Sequence, residues 1–252
     1  MKRVMLTVAY DGTNYCGWQL QPNGITIEEV LNRELSSLLG EEIRVIGASR
    51  TDSGVHALGN AAVFDTETRI PAEKLSFAMN TRLPEDIRIV GSREVPADFH
   101  PRHCDSEKTY EYRIWNDTFA NPTVRLYTKF CYYRLDIERM RKAAGYLVGT
   151  HDFASFCSAG SQATTTVRTI TGITVDRAPE EPRMVRIRVL GTGFLYNMVR
   201  IISGTLMEIG MGLREPEDMK RILEACDRSQ AGTTAEPQGL TLMGIVFLDL
   251  CE

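Results

Sequence analysis

The sequence lacks the features of a membrane, secreted or disordered protein. Its 252 residues contain no window of about 18 uncharged apolar residues, which argues against a transmembrane helix. The first residues run directly into a strand-like pattern, so we expect no signal or transit peptide. Hydrophobic residues make up 43% and charged residues 25%, as in an ordinary globular chain. We therefore expect a cytoplasmic protein of one large domain or two closely packed halves.

Cysteine is sparse and irregularly spaced, which argues against a disulfide framework. The six cysteines include no C-x-x-C pair, and we expect reduced thiols. His100, His103 and Cys104 resemble metal ligands, but they lack a second ligand pair, so we expect no metal. Motifs for nucleotide cofactors and hydrolases are missing as well. The sequence at 191–193 does not continue as G-x-G-x-x-G, and no G-x-S-x-G surrounds Ser155.

Lysine is scarce, with six lysines against 23 arginines. The planar guanidinium suits phosphate groups and base edges better than an ammonium group does, although a compositional bias of the genome gives the same ratio. The net charge of −4 argues mildly against a nucleic-acid partner. Residues 215–252, however, hold three basic and eight acidic residues, so the remainder of the chain is at +1. The composition leaves an RNA partner open.

Strand and helix patterns alternate along the chain without a long linker. A capping box at 26–29 and apolar residues at helical spacing predict a helix that ends at Gly40. Alternation over 108–115 predicts a strand with Tyr110 and Tyr112 on its apolar face. We also expect strands at 5–10, 43–48, 60–64, 87–94, 167–176, 184–189 and 240–250, and helices at 75–80, 136–149, 195–209 and 216–226.

This order of elements predicts an α+β fold in which helices pack on a mainly antiparallel sheet. Both halves of the chain contain strand-rich stretches together with helices, and their element orders are alike. We therefore divide the sequence into an N-terminal half, 1–105, and a C-terminal half, 106–252.

The glycine-containing segment 47–60, between two predicted strands, holds an isolated carboxylate. Arg50 and Asp52 are its only formally charged residues. A carboxylate in such a loop needs a cationic or hydrogen-bonding partner, and isolation of this kind is one way to make a nucleophile or a general base. The structural alternative is an Asx-turn, in which Asp52 accepts hydrogen bonds from backbone amides two residues on. The local pattern taken alone favours that turn.

A lone arginine stands out in the predicted apolar helix. Between Val189 and Met207, Arg200 is the only charged residue, and it follows Tyr196 by one helical turn. A buried guanidinium requires a carboxylate or a bound anion, whereas a snorkelling arginine keeps its head in water. Both interpretations stay open at this point. Tyr110 also has two interpretations, packing in the core or stacking on a base.

Residues 50–56 read R-T-D-S-G-V-H and resemble the R-T-D-A-G-V-H signature of the tRNA pseudouridine synthase A family. Three positions depart from the usual pattern: Ser53 replaces alanine, Asn60 replaces glutamine, and Val63 replaces a frequent histidine. Further similar blocks follow in the family's order at 11–19, 108–112, 149–156, 167–170, 194–200 and 235–240.

The resemblance implies a reaction and assigns residues to it. A uridine at positions 38 to 40 of the tRNA anticodon stem-loop is isomerised to pseudouridine: its N1–C1′ bond breaks, and C1′ is rejoined to C5. Asp52 matches the catalytic aspartate, acting as nucleophile or as base, and Arg200 matches the arginine that pairs with it. Tyr110 matches the tyrosine that packs against the uracil. Arg50 matches the arginine that occupies the space left by the flipped nucleotide.

The resemblance also implies the surroundings of this chemistry. The family's fold is a central antiparallel sheet made of two similar halves, with helices behind it and an RNA-binding cleft in front. The family is homodimeric, and one tRNA contacts both subunits. No metal and no cofactor are expected, and arginines are expected to line the cleft.

Overall fold

A computed structural model describes residues 1–250. In chain order the elements are β1 (Lys2–Tyr10), α1 (Ile27–Leu39), β2 (Ile46–Gly47), β3 (His56–Thr66), α2 (Leu75–Asn80), β4 (Ile87–Val95), β5 (Ser106–Asn116), β6 (Lys129–Cys131), α3 (Ile137–Gly145), β7 (Gly149–Asp152), β8 (Val167–Ala178), β9 (Glu181–Gly191), α4 (Met198–Gly210), α5 (Asp218–Ala225) and β10 (Leu240–Phe247). Two compact units divide these elements. The first is Met1–Ser106 with the segment from Leu242 onward, and the second is Glu107–Thr241. No helix among residues 1–250 is long and apolar enough to cross a membrane.

The first unit is built around β1. Its strands lie in the order β4-β1-β3-β10, and β2 pairs with β3. β1 runs antiparallel to both neighbours, with Leu6 opposite Ala62 on β3 and opposite Ser92 on β4. Val4, Leu6 and Val8 are fully buried, because alternate residues of a strand face the same side.

The helices of the first unit begin and end where the sequence predicts. The side chain of Thr26 accepts a hydrogen bond from the backbone N–H of Glu29, and Gly40 ends α1 in the left-handed conformation, at φ 68°. α2 is attached to β4 through Asn80, whose side-chain amide donates to the carbonyl of Ile89 and accepts from the N–H of Ile89. The predicted strand at 43–48 is shorter than expected and spans Ile46–Gly47.

The core of the first unit includes a residue from the last strand. The ring of Phe247 on β10 packs edge to face against Phe99, with the centroids 5.2 Å apart. Met5, Val63 and Val95 belong to the same buried cluster. β10 ends at Phe247, before the expected residue 250, because the chain turns into a short 3-10 helix there.

The second unit also consists of a mainly antiparallel sheet with helices. Its strands lie in the order β5-β9-β8-β7, and β6 runs parallel to β5. The β5–β9, β8–β9 and β7–β8 pairs are antiparallel and place Tyr112 opposite Ile187, and Ile187 opposite Val175. These three side chains are fully buried, and α3 packs on β8 and against α4. Each unit thus has helices packed on a mainly antiparallel sheet, which confirms the predicted α+β class.

Several predicted boundaries in the second unit are wrong. α3 ends at Gly145, not at Gly149, because Gly149 has a φ of 117° and begins β7, a strand that the sequence did not indicate. β6 was not expected either. α4 begins at Met198 rather than at residue 195, because Asn197 has a left-handed φ of 61° that interrupts the helical backbone. Tyr196 therefore precedes the helix, and the expected helical spacing to Arg200 does not exist.

α4 is buried over most of its length and is in close contact with the segment 232–235. A Cβ atom built on Gly204 would lie 1.8 Å from the carbonyl oxygen of Thr233. The N–H of Gly232 donates to the hydroxyl of Thr205, and the N–H of Thr233 donates to the carboxylate of Glu208. Gly204 thus allows a backbone segment to lie directly on the helix.

The sheet of the second unit contains a buried acid between two arginines. Glu111 on β5 is 1% exposed and accepts hydrogen bonds from Arg113 at 2.7 Å and from Arg188 on β9 at 2.6 Å. Burial by itself raises the pKa of Glu111, but the two guanidinium groups outweigh it and hold the pKa below its ordinary value. The carboxylate is therefore charged in the folded protein at neutral pH.

We predict that Gly204→Ala destabilises the protein by roughly 3 kcal/mol, the upper end for an overpacked site, because a backbone oxygen cannot move aside as a side chain can. Urea unfolding followed by circular dichroism measures this change. The control is Gly145→Ala at the end of α3, where an added Cβ meets nothing within 4 Å. This control is expected to be neutral or slightly stabilising. Equal stability of both variants would contradict the close contact.

We predict that Glu111→Gln costs about 1–3 kcal/mol at pH 7, because two guanidinium groups lose a charged acceptor. The lowered pKa makes this contribution complete above the ordinary glutamate pKa of 4.5, and protonation removes it as the pH falls through the lower folded value. Unfolding curves between pH 7 and acid pH measure the difference between wild type and variant. Glu224→Gln, on the exposed face of α5, should change stability little at any pH. A difference that does not depend on pH would contradict the assignment.

Candidate active site

The loop that carries Asp52 joins β2 to β3 and contains a tight turn. The N–H of Val55 donates to the carbonyl of Asp52 at 3.1 Å, and Gly54 inside the turn has a φ of 76°. An Asx-turn needs the N–H of Gly54 to donate to the Asp52 side chain. That N–H donates instead to the carbonyl of Tyr15 at 3.3 Å. The backbone of the loop is thus held by a neighbouring segment, and the side chain of Asp52 is half-buried.

That neighbouring segment is 11–19, another block of the family resemblance. The N–H of Trp18 donates to the carbonyl of Thr51 at 3.0 Å, and the hydroxyl of Ser53 donates to the carbonyl of Tyr15 at 3.2 Å. A Cβ atom on Gly12 would lie 2.0 Å from the oxygen of Val55, and one on Gly17 would lie 2.6 Å from the oxygen of Thr51. Only glycine permits this approach of two backbones.

A tyrosine anchors the other end of the segment 11–19. The hydroxyl of Tyr15 donates to the carboxylate of Asp86 at 2.6 Å. Burial, together with this hydrogen bond, raises the pKa of Tyr15, so the phenol keeps its proton at neutral pH. The proton is needed because the carboxylate of Asp86 has none to donate.

A chain of buried hydrogen bonds connects the loop to β1 and β3. The hydroxyls of Tyr10 and Thr51 lie 2.7 Å apart, and the side-chain amide of Asn60 donates to Tyr10 and to the carbonyl of Ser49. Asn60 is fully buried, so its amide group must find such partners. The family's usual glutamine is thus replaced here by a shorter amide whose hydrogen bonds are satisfied. Of the other departures, Val63 lies in the hydrophobic core of the first unit.

His56, the last residue of the signature, is also buried. Its Nδ1 atom accepts a hydrogen bond from the N–H of Gly12 at 3.0 Å. The carboxylate of Asp11 lies 3.1 Å from the same nitrogen. The histidine therefore connects the loop to the turn at Gly12. The signature contains His56, but spacing alone gave no reason to assign it this role.

Arg50 lies at the exposed edge of the loop. Its guanidinium donates to the side-chain oxygen of Gln19 at 3.4 Å, and the residue is exposed. Arg50 is thus an exposed residue next to a loop backbone that the segment 11–19 holds in place.

Arg200 is held at the start of α4 by two protein acceptors. Its Nε donates to the carbonyl of Ala235 at 2.8 Å, and its Nη1 donates to the side-chain oxygen of Asn197 at 2.6 Å. The N–H of Ala235 in turn donates to the carbonyl of Arg200. A snorkelling arginine has its head in water, whereas this guanidinium is half-buried and oriented by the protein.

Asn197 positions Arg200 and ties it to the segment that follows Cys157. Its side-chain amide donates to the hydroxyl of Ser158 at 2.9 Å, while its oxygen accepts from Arg200. Asparagine tolerates the left-handed backbone better than most residues. The sequence block at 194–200 contains Asn197, but its role depends on a backbone angle that the sequence pattern does not show.

Tyr110 lies on β5 with a buried ring. It packs edge to face against Phe194, with the ring centroids 5.2 Å apart. Glu111 follows on the opposite face of the strand, as the alternation predicted. Tyr110 thus packs against the block 194–200, which contains Arg200.

The structure also shows the surroundings of the residues that resemble a hydrolase site or a metal site in the sequence. Ser155 is fully buried, donates to the carbonyl of Ile222 and accepts from the N–H of Asp227, so it secures the end of α5. The rings of His100 and His103 stack with centroids 3.9 Å apart. Within residues 1–250 no group of three histidine, cysteine or acidic side chains is arranged to hold a metal ion, and the five described cysteines are free thiols.

Comparison with known proteins gives consistent matches over nearly the whole chain. A family model described as tRNA pseudouridine synthase matches residues 6–103 and 143–247. These ranges include Arg50, Asp52 and Arg200 but not Tyr110. A protein named tRNA pseudouridine synthase A from Thermoanaerobacter sp. (strain X514) is 48% identical over 247 residues, 98% of this chain and 100% of that protein. Proteins of the same name from Acetivibrio thermocellus and Brevibacillus brevis are 46% and 44% identical over 247 residues, with the same coverage.

Proposed function

This chain belongs to the tRNA pseudouridine synthase A family of pseudouridine-forming isomerases, and from that premise we propose that it modifies the anticodon stem-loop of tRNA. The target is a uridine at positions 38 to 40, and Asp52 is the catalytic residue. The main support is the loop at 48–55, whose signature sequence is held by backbone contacts that only glycine at positions 12 and 17 allows.

The reaction rearranges one nucleotide without adding or removing atoms. The bond from N1 to C1′ breaks, C1′ bonds to C5, and the hydrogen on C5 leaves as a proton while N1 gains one. The uracil must be retained while it turns, so a group next to C1′ has to stabilise the electron-poor sugar. We assign this role to the carboxylate of Asp52, which acts either by attack on C1′ or by abstraction of a sugar proton.

We assign Arg200 the role of keeping Asp52 ionised. The support is the family resemblance at 194–200 and the orientation of the guanidinium by Ala235 and Asn197. A fixed cation stabilises a nearby carboxylate without having to be ordered first. The pair is therefore proposed to be one structural element rather than two independent residues.

We assign Tyr110 and Arg50 to the RNA. An aromatic ring fixed by Phe194 offers a rigid surface for a uracil. An exposed arginine on a fixed loop can replace a nucleotide that has left the stack, and extrusion is required because C1′ and C5 are inaccessible within a helix. An RNA-binding cleft, a homodimer that shares one tRNA, and a cytoplasmic location complete the proposal. The cleft and the second subunit would bring arginines to the polyanionic RNA, although the net charge of each chain is −4.

We predict that Asp52→Ala lowers pseudouridine formation by roughly 10³-fold or more, because no other group takes over the carboxylate's role. Release of tritium from tRNA labelled at C5 of uridine measures the reaction, since the C5 hydrogen leaves only on isomerisation. tRNA binding should change little. Asp98→Ala, an exposed acid of the same unit, is the charge-matched control and should keep full activity. Normal turnover by Asp52→Ala would refute the catalytic assignment, and binding without any turnover by wild type would indicate an RNA-binding module instead.

We predict that Arg200→Met removes most activity and lowers stability, and that its effect on stability is not additive with Asp52→Ala. A double-mutant cycle measured by urea unfolding should give a coupling of about 0.5–3 kcal/mol, because the second substitution removes nothing once the pair is broken. The control cycle combines Asp52→Ala with Arg139→Met, since Arg139 pairs with Glu215. That cycle should be additive. Zero coupling between positions 52 and 200 would exclude the ion pair.

A further inference from the structure

Arg168 on β8 is a half-buried cation with an unusual set of partners. Its protein hydrogen bonds come from Nη1, which donates to the carbonyls of Thr165 at 2.9 Å and Val167 at 2.6 Å. Over residues 1–250 no carboxylate lies within ion-pair distance of its guanidinium. Burial lowers the pKa of Arg168 from the ordinary arginine value. The charge is thus partly removed from water without a compensating anion.

Three other half-buried arginines of the second unit pair with an acid, whereas Arg177 and Arg228 donate to neutral oxygen acceptors. Arg139 pairs with Glu215, Arg186 with Glu180, and Arg214 with Glu208. Arg168 differs from them in charge balance, although its degree of burial is similar. A cation in this position is one that a bound anion would stabilise.

The geometry of the hydrogen bonds also indicates the form of that anion. Two carbonyls occupy Nη1 and fix the plane of the guanidinium, while Nε and Nη2 make no protein hydrogen bond within the described chain. These two nitrogens form the edge of the guanidinium that donates two parallel hydrogen bonds. Carboxylates and phosphates are the groups that match this edge.

The segment next to Arg168 favours a phosphate. Residues 158–166 carry no charge and include five hydroxyl side chains, and Thr164 and Thr165 are exposed. Serine and threonine hydroxyls and arginine are common donors to phosphate oxygens in nucleic-acid complexes. No acidic residue of this segment would repel a polyanion.

Contacts inside the second unit place Arg168 next to the proposed substrate residues. A Cβ atom on Gly193 would be 3.8 Å from Cδ of Arg168, and the following residue, Phe194, packs against Tyr110. Ser158, at the start of the hydroxyl segment, accepts a hydrogen bond from Asn197, which also binds Arg200. Arg168 therefore lies beside the residue that precedes Phe194, and the hydroxyl segment is held at Ser158 by the residue that binds Arg200.

We propose that Arg168, through Nε and Nη2, and the hydroxyl segment 158–166 bind one phosphodiester group of the RNA beside the target uridine. The inference rests on the proposed function for the identity of the ligand, and it adds a binding site for the RNA backbone. Fixing one phosphate next to an extruded nucleotide restricts the sugar whose C1′ reacts, so the site contributes to positioning as well as to affinity.

The first test compares the salt dependence of tRNA binding by wild type, Arg168→Gln and Arg141→Gln. Loss of one phosphate contact should lower the slope of log affinity against log salt by about 0.9 for Arg168→Gln. Arg141 is paired with Glu138 and Asp176, so Arg141→Gln removes the same charge and should leave the slope unchanged. An unchanged slope for Arg168→Gln would overturn the site.

The second test locates the phosphate. Anticodon stem-loops are prepared with a single neutral methylphosphonate, on a 2′-O-methyl nucleotide, at each linkage around the target uridine. One linkage should weaken binding to wild type by about tenfold and leave binding to Arg168→Gln unchanged, because the variant lacks the contact already. Linkages that affect both proteins equally would overturn the site. If Arg168→Gln fails to unfold cooperatively, Arg168→Lys replaces it. That variant keeps the charge but loses the paired donors, so its sensitivity to that linkage should be weaker than that of wild type.

Failure of this site and failure of the proposed function give different results. Wild-type protein that forms pseudouridine, together with an Arg168→Gln slope equal to the wild-type slope, overturns the phosphate site alone. If wild-type protein forms no pseudouridine, but Arg168→Gln still lowers the slope of log affinity against log salt, the proposed function is overturned and the phosphate site is kept. Inorganic phosphate up to millimolar concentration serves as the competitor. It should weaken stem-loop binding to wild type more than binding to Arg168→Gln.

Discussion

The close approach of two backbones, 11–19 and 50–55, is the constraint on which the catalytic loop depends. Gly12 and Gly17 have no Cβ, so carbonyl oxygens of Val55 and Thr51 occupy the space that a side chain would fill. Every larger residue there would separate the two segments. The hydrogen bonds from Trp18 and Ser53 exist only at this spacing. The position of Asp52 is thus determined by contacts that its neighbours in the loop make with the segment 11–19.

In the second unit, a backbone contact that depends on glycine likewise positions Arg200. Gly204 lets the segment 232–235 lie on α4, and Ala235 from that segment then accepts the hydrogen bond from Nε of Arg200. Asn197 supplies the second acceptor. In each unit, glycine permits a close contact between two backbone segments. This contact positions a charged residue indirectly. Rigid backbone around charged groups reduces the reorganisation that a reaction requires.

Local sequence patterns predicted those elements that are specified by their own residues. The capping box and apolar spacing defined α1, and alternation defined β5, because each depends on neighbouring residues only. The late start of α4 depends on one backbone angle at Asn197, and the three-residue strand β6 depends on pairing with β5. For the site, the signature 50–56 predicts Asp52 and Arg50 through the family resemblance. Arg168 lies in the block 167–170, but the hydrogen bonds and the missing acidic partner on which its proposed role rests depend on the fold.

The packing of Phe247 against Phe99 has a consequence for how this protein is made. Phe99 leaves the ribosome early, whereas Phe247 is translated only after the whole of the second unit. Until Phe247 is translated, the apolar cluster that includes Met5 and Val95 lacks one of its aromatic side chains. The first unit therefore reaches its final packing after the second has emerged, which reverses the usual order in which nascent chains consolidate their amino-terminal parts.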